Sequence, residues 1–131
     1  MKQTITKSNK NVEILNLLIA NGFYNGYVRT EKFELMRNRF PNNHRIIGIA
    51  NDTGNYELKF DFKPPMNIIA KFLLALGILV SIISLIKGNW VIPVVLVVYG
   101  LIVVIDFKLK EKKEINILTD KLLEFHKTEP N

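Results

Sequence analysis

Residues Phe72 to Ile86 read FLLALGILVSIISLI, and Trp90 to Ile105 read WVIPVVLVVYGLIVVI. Only Lys87-Gly88-Asn89 stands between them. The first stretch runs for 15 residues without a charge and the second for 16; taking in Asn67 to Lys71 lengthens the first to 20. A helix needs about 20 residues to cross the ~30 Å hydrocarbon core of a bilayer. The two stretches are therefore read as a transmembrane helical hairpin over residues 66–106, with spans at about 67–86 and 90–106. A buried helical hairpin in a soluble core is the competing reading. Both helices are apolar all round, however, and a chain of 131 residues has little else to cover them.

A three-residue tip puts both flanks on one side of the membrane. Residues 1–66 carry ten Lys and Arg against six acids, and residues 107–131 carry six Lys against five acids. The tip has Lys87 alone. The positive-inside rule then places both termini in the cytoplasm, and Trp90 suits the outer interface. Residues 1–20 lack the apolar core of a signal peptide, so the first span is expected to direct insertion itself.

Two charges fall inside the spans. Lys71 is 17 residues before Gly88 and Asp106 is 18 after it. At ~1.5 Å per residue both stand some 26 Å from the tip. They are candidates for an ion pair between the helices, the alternative being separate snorkelling to the inner headgroups. No charge lies near the midplane, which argues against an ion or proton pathway. Ala70, Gly77 and Ser84 recur at intervals of seven; they are expected to pack against Gly100 of the second span, or else to form a homodimer seam. Pro93 fits the first turn of the second helix, with Asn89 as its cap.

Outside the hairpin, residues 1–65 and 107–131 read as one cytoplasmic α+β domain. In Tyr56 to Lys63, apolar Tyr56, Leu58, Phe60 and Phe62 alternate with charged Glu57, Lys59, Asp61 and Lys63, the pattern of a strand with one wet face. Arg45 to Ala50 pairs with it across the turn formers Asn51 to Asn55. Tyr24 to Thr30 and Lys32 to Asn38 make a second hairpin, joined to the first through Phe40-Pro41-Asn42-Asn43. The expected fold is thus a four-stranded antiparallel β-meander, ended by Pro64-Pro65. Two amphipathic helices flank it. Val12, Leu15 and Ile19, with Ile14 and Leu18 beside them, mark the first, and Asn21-Gly22 stops it. Ile115, Leu118, Leu122 and Phe125 mark the second. Only the first eight and last four residues read as disordered.

The run Phe23-x-x-Gly26-x-Val28, Phe33-x-Leu35, Arg37-Asn38, Ile47-Gly48, Gly54 and Pro64 resembles a group of small uncharacterised bacterial membrane proteins that pair a short β-rich segment with a two-helix membrane hairpin. The resemblance covers roughly residues 23–105. It implies the same architecture and a bacterial inner membrane, and it carries no activity with it.

The chemistry-bearing residues are few. The absence of cysteine excludes a disulfide scaffold, a thiolate nucleophile and cysteine-bearing metal sites. His44 and His126 are far apart in sequence. Asp52-Thr53-Gly54 matches the triplet of aspartic proteases, but it stands alone among turn residues without flanks to bury its carboxyl. Lys108, Lys110, Lys112 and Lys113 could contact anionic lipid at ~1 kcal/mol each, although their ordinary meaning is topology. Arg29, Arg37, Arg39 and Arg45 could form an anion patch, against the plainer reading of a solvated sheet face. No phosphate loop, catalytic triad or metal-ligand spacing occurs, and no cofactor is expected. The formal charge of +6 comes without stacking platforms, so nucleic acid is not expected as a partner.

The expected function is that of a non-enzymatic inner-membrane protein whose cytoplasmic domain binds another protein or a second copy of itself. The bilayer is its other partner. The alternatives are a membrane immunity or accessory factor acting through the hairpin, and a protein active on lipid headgroups.

Overall fold

The computed structural model describes residues 3–40 and 42–128. In chain order these form β1 (Thr4–Thr6), α1 (Asn9–Ala20), β2 (Tyr24–Val28), β3 (Lys32–Arg37), β4 (His44–Ala50), β5 (Asn55–Phe62), α2 (Met66–Ile86) and α3 (Val91–Thr128). The chain divides into two units, Met1–Lys63 with Ile115–Asn131, and Pro64–Glu114.

The first unit holds one antiparallel sheet in the order β1-β5-β4-β3-β2. The expected meander is β2 to β5, but the sheet has five strands and not four. Thr4, Ile5 and Thr6 pair with Glu57, Tyr56 and Asn55, and Leu58 N donates to Gln3 O at 2.9 Å. This strand falls within the eight residues expected to be disordered. Three residues are too short for a period to show, and β1 exists because β5 offers it an edge. Met1, Lys2, Pro41 and residues 129–131 lie outside the described residues.

Register sorts the side chains into two faces. Leu58, Gly48 and Phe33 stand in one row across the sheet, and Phe60, Ile46 and Leu35 in the next. All six are buried, as are Tyr56, Ile5 and Tyr24. Phe62, at the end of β5, is only half-buried. Phe33 meets Tyr56 edge-on, with ring centroids 5.1 Å apart and planes at 74°. The alternate rows carry Glu57, Lys59, Asp61, Arg45 and Glu34, the wet face that the alternation in β5 foretold.

Two helical stretches complete this core. Ile14, Leu15 and Leu18 of α1 are buried, as are Ile115, Leu118 and Leu122 of α3. Each such side chain contributes roughly 1.5–3 kcal/mol. The inward stripe of α1 is Asn11, Ile14, Leu15 and Leu18. Val12 and Ile19, expected to lead that face, are only half-buried. Asn11 takes the core position because both ends of its amide are satisfied. Nδ2 donates to Thr6 O at 2.7 Å, and Oδ1 lies 2.6 Å from His126 Nε2, which then carries the proton. Ser8 caps the helix through Asn11 N. Gly22 ends it with Gly22 N bonded to Ile19 O and Phe23 N to Leu18 O, a Schellman motif with φ +73° at the glycine.

The second unit holds α2 and the first part of α3. Gly88, at φ +75°, closes α2 in the same manner, with Asn89 N bonded to Ser84 O. Asn89 Oδ1 accepts from Val91 N at the start of α3, and Pro93 lies in the first turn as expected. Both helices are long and apolar enough to cross a membrane. Gly77 and Gly100, expected to meet across the hairpin, each have open space where a Cβ would stand. Ser81 donates to Gly77 O of its own helix.

The second span and the C-terminal amphipathic stretch are one 38-residue helix. No Gly or Pro interrupts Asp106 to Thr128, and Lys110–Asp106 and Lys108–Glu111 pair along it at 2.7 and 2.6 Å.

Candidate functional site

The wet face of the sheet centres on an ion cluster. Arg45, on β4, donates through one guanidinium nitrogen to Glu34 Oε1 at 2.9 Å and through the other to Asp61 Oδ2 at 3.2 Å. Register places Asp61 directly opposite Arg45 on β5, and Glu34 comes from β3 on the other side. The Arg45 and Glu34 side chains keep only 16% and 13% of their surface exposed. The hydrogen bond to Glu34 outweighs the partial loss of hydration; with Asp61 adding to it, the guanidinium is lifted above its ordinary pKa. An arginine held by two carboxylates is a structural cross-link between three strands and offers little charge to an incoming anion.

The other three arginines stand elsewhere. Arg29 follows β2 and lies over the Tyr27 ring, 5.2 Å from its centroid. Arg37 shares the parity of Phe33 and Leu35 and so belongs to the opposite face from Arg45. Arg39 lies beyond β3 and is exposed.

In the second unit Lys71 is exposed on α2. Asp106 is engaged by Lys110 of its own helix, with both side chains substantially exposed. Lys108 is paired with Glu111, and Lys112 and Lys113 are exposed.

Asp52 sits exposed in the β4–β5 turn. That turn is organised by its neighbours: Asn51 Oδ1 accepts from Thr53 Oγ1 and from Asn55 N. Asp-Thr-Gly here is turn chemistry. Among the described residues no group of three His, Asp or Glu side chains is placed to hold a metal ion.

β2 is a terminal strand of the sheet. Arg29 N bonds Lys32 O and Asn38 N bonds Phe23 O, which fixes the alternation along this pair. Asn25 and Tyr27 turn their backbone groups to β3, whereas Gly26 and Val28 alternate to the side away from it. The sequence marked β2 as a strand, but only the strand order makes it an edge. The Asn11–His126 link was also missed, because 115 residues separate the two side chains.

No protein-family model matches this chain, and no curated protein or solved structure does either.

Proposed function

We propose that this chain is a bacterial inner-membrane protein in which the α2–α3 hairpin anchors a small cytoplasmic α+β unit that binds another protein or a second copy of the chain, without catalysis. One observation carries the membrane part. Of the most apolar window of α2 only 6% is buried, and of that of α3 0%. Leaving one large apolar side chain in water costs about 1.5–3 kcal/mol, and whole domains are stable by only ~5–15 kcal/mol. Apolar helices this exposed need a cover from outside the chain, and lipid is the cover that suits helices apolar on every side.

The binding part is supported by the open edge of β2. A five-residue strand with outward backbone groups at Gly26 and Val28 can accept an added strand from a partner. Its exposed residues Asn25 and Tyr27 provide side chains for selectivity.

Topology is the decisive experiment. Single cysteines replace Ser8, Asn89 and Thr128 in a chain that has none of its own. An impermeant thiol reagent applied to intact cells labels position 89 and spares 8 and 128. Labelling at 8 or 128 with none at 89 reverses the proposed orientation, and labelling at all three in soluble extract removes the membrane reading.

A further inference from the structure

Phe40 is 91% exposed, the highest value of any large apolar side chain among the described residues. The comparable exposed residues of the sheet, Tyr27 and Ile49, stand at 40% and 39%. A single exposed apolar residue is ordinary on a protein surface, so its position decides what it means. Lys63 N donates to Asn43 O at 2.8 Å. The connection from β3 to β4 is thereby tied to the place where the chain leaves β5 for α2. Phe40 is three residues from Asn43, and Lys63 is three residues from Met66, the first residue of α2. At ~3.5 Å per residue the chain keeps Phe40 within about 15 Å of Lys63, the last residue on the β5 side of the sheet unit before the chain leaves it. The Asn51–Asn55 turn is at the opposite end of β5, roughly 25 Å farther along the strand. The most exposed aromatic ring of the sheet unit is thus at the end from which the chain enters α2, and exposed Arg39 is its neighbour.

We propose that Phe40 dips into the headgroup layer of the bilayer that receives α2, with Arg39 meeting anionic phospholipid. This would be a second, reversible contact of the sheet unit with the membrane. The inference rests on the membrane reading given above. An aromatic ring beside a cation matches the chemistry of that layer, where apolar surface gains from the glycerol region and positive charge from the phosphates. The consequence is orientational. A contact at Phe40 would hold the sheet by one end.

The test uses the full chain in vesicles of equal parts phosphatidylcholine and phosphatidylglycerol, with bromine on the acyl carbons nearest the glycerol. Three proteins are compared by tryptophan fluorescence: the parent, which reports through Trp90; Phe40→Trp with Trp90→Phe; and Asp52→Trp with Trp90→Phe. Circular dichroism checks that the variants keep the parent fold. The proposal expects quenching of the parent and of the Phe40→Trp protein, and none of the Asp52→Trp protein. Arg39→Gln should shift the bound-to-free ratio at Phe40→Trp by about five-fold, the value of one basic residue at an anionic surface. A quenched parent with equal signals from Phe40→Trp and Asp52→Trp overturns the proposal and leaves the membrane reading standing. A Phe40→Trp signal that follows protein density and ignores bromine also overturns it, by pointing to a second copy of the chain. An unquenched parent removes the membrane reading and this proposal together.

Discussion

Gly48→Ala is the sharpest probe of how the sheet core is assembled. Gly48 lies directly opposite Phe33 in the β3–β4 register. A Cβ at position 48 would stand 2.1 Å from Phe33 Cε1 and 2.4 Å from Cζ, whereas ordinary contact starts at 3.4 Å. The ring would have to retreat by more than an ångström. It cannot do so freely, because Phe33 is 0% exposed and rests edge-on against Tyr56, itself fully buried. Two effects oppose each other. Removing a glycine from the unfolded chain stabilises by ~0.4–1 kcal/mol. Overpacking a close-packed core costs ~1–3 kcal/mol, and the size of this overlap puts the cost at the upper end. The expected net loss is about 1–2 kcal/mol, or roughly 4–16 °C in Tm for a unit of this size. Thermal unfolding of the full chain in detergent, followed by near-ultraviolet circular dichroism, measures it. Phe33→Leu should lower Tm by itself, since it removes buried ring surface, and Gly48→Ala should then add almost nothing. A double-mutant cycle should therefore show coupling of 0.5 kcal/mol or more, of order that found for residues in contact. A neutral Gly48→Ala, or strictly additive losses, would refute the picture of a glycine kept small by the ring above it.

Two further outcomes follow from side-chain geometry. The Tyr56 hydroxyl donates to Arg29 O and Thr30 O at 3.3 and 3.1 Å; burial first, and then the charge of Glu31, raise its pKa above the ordinary 10.0. The native state holds this proton more tightly than the unfolded one, so the contribution is complete below about pH 10 and is lost as pH rises through the native value. Tyr56→Phe should cost about 1 kcal/mol near neutrality and show a shallower fall in Tm above pH 10 than the parent; parallel curves would contradict this assignment. For Asp106, the structure makes Lys110 the partner, and an exposed pair one helical turn apart is worth about 0.3–0.5 kcal/mol. Double-mutant cycles of Asp106→Leu with Lys110→Met and with Lys71→Met, read from hairpin stability in detergent, separate the pairings. A larger coupling to Lys71 would establish the interhelical pair proposed from their equal distance to the tip.

Much of the architecture was legible in the linear chain because its signals are local. Charge-free runs of 15 and 16 residues identify α2 and the first part of α3 without reference to anything else. Period-two alternation in Tyr56 to Lys63 identifies both the strand and its buried side, and register then carries that sidedness across β4 and β3. Asn21-Gly22 and Gly88 stop helices through conformations that glycine adopts without cost. What the chain alone did not decide depends on pairing between distant segments. β1 has one buried side chain, Ile5, and becomes a strand only against β5. Asn11 looks like a surface residue until Thr6 and His126 satisfy its amide, and that shifts the inward stripe of α1 away from Val12 and Ile19. Arg45 reads as a free cation until register brings Glu34 and Asp61 to it from two neighbouring strands. Composition and periodicity report what each segment prefers to bury, but which polar groups find partners, and which strand is left at the edge, are properties of the assembled sheet.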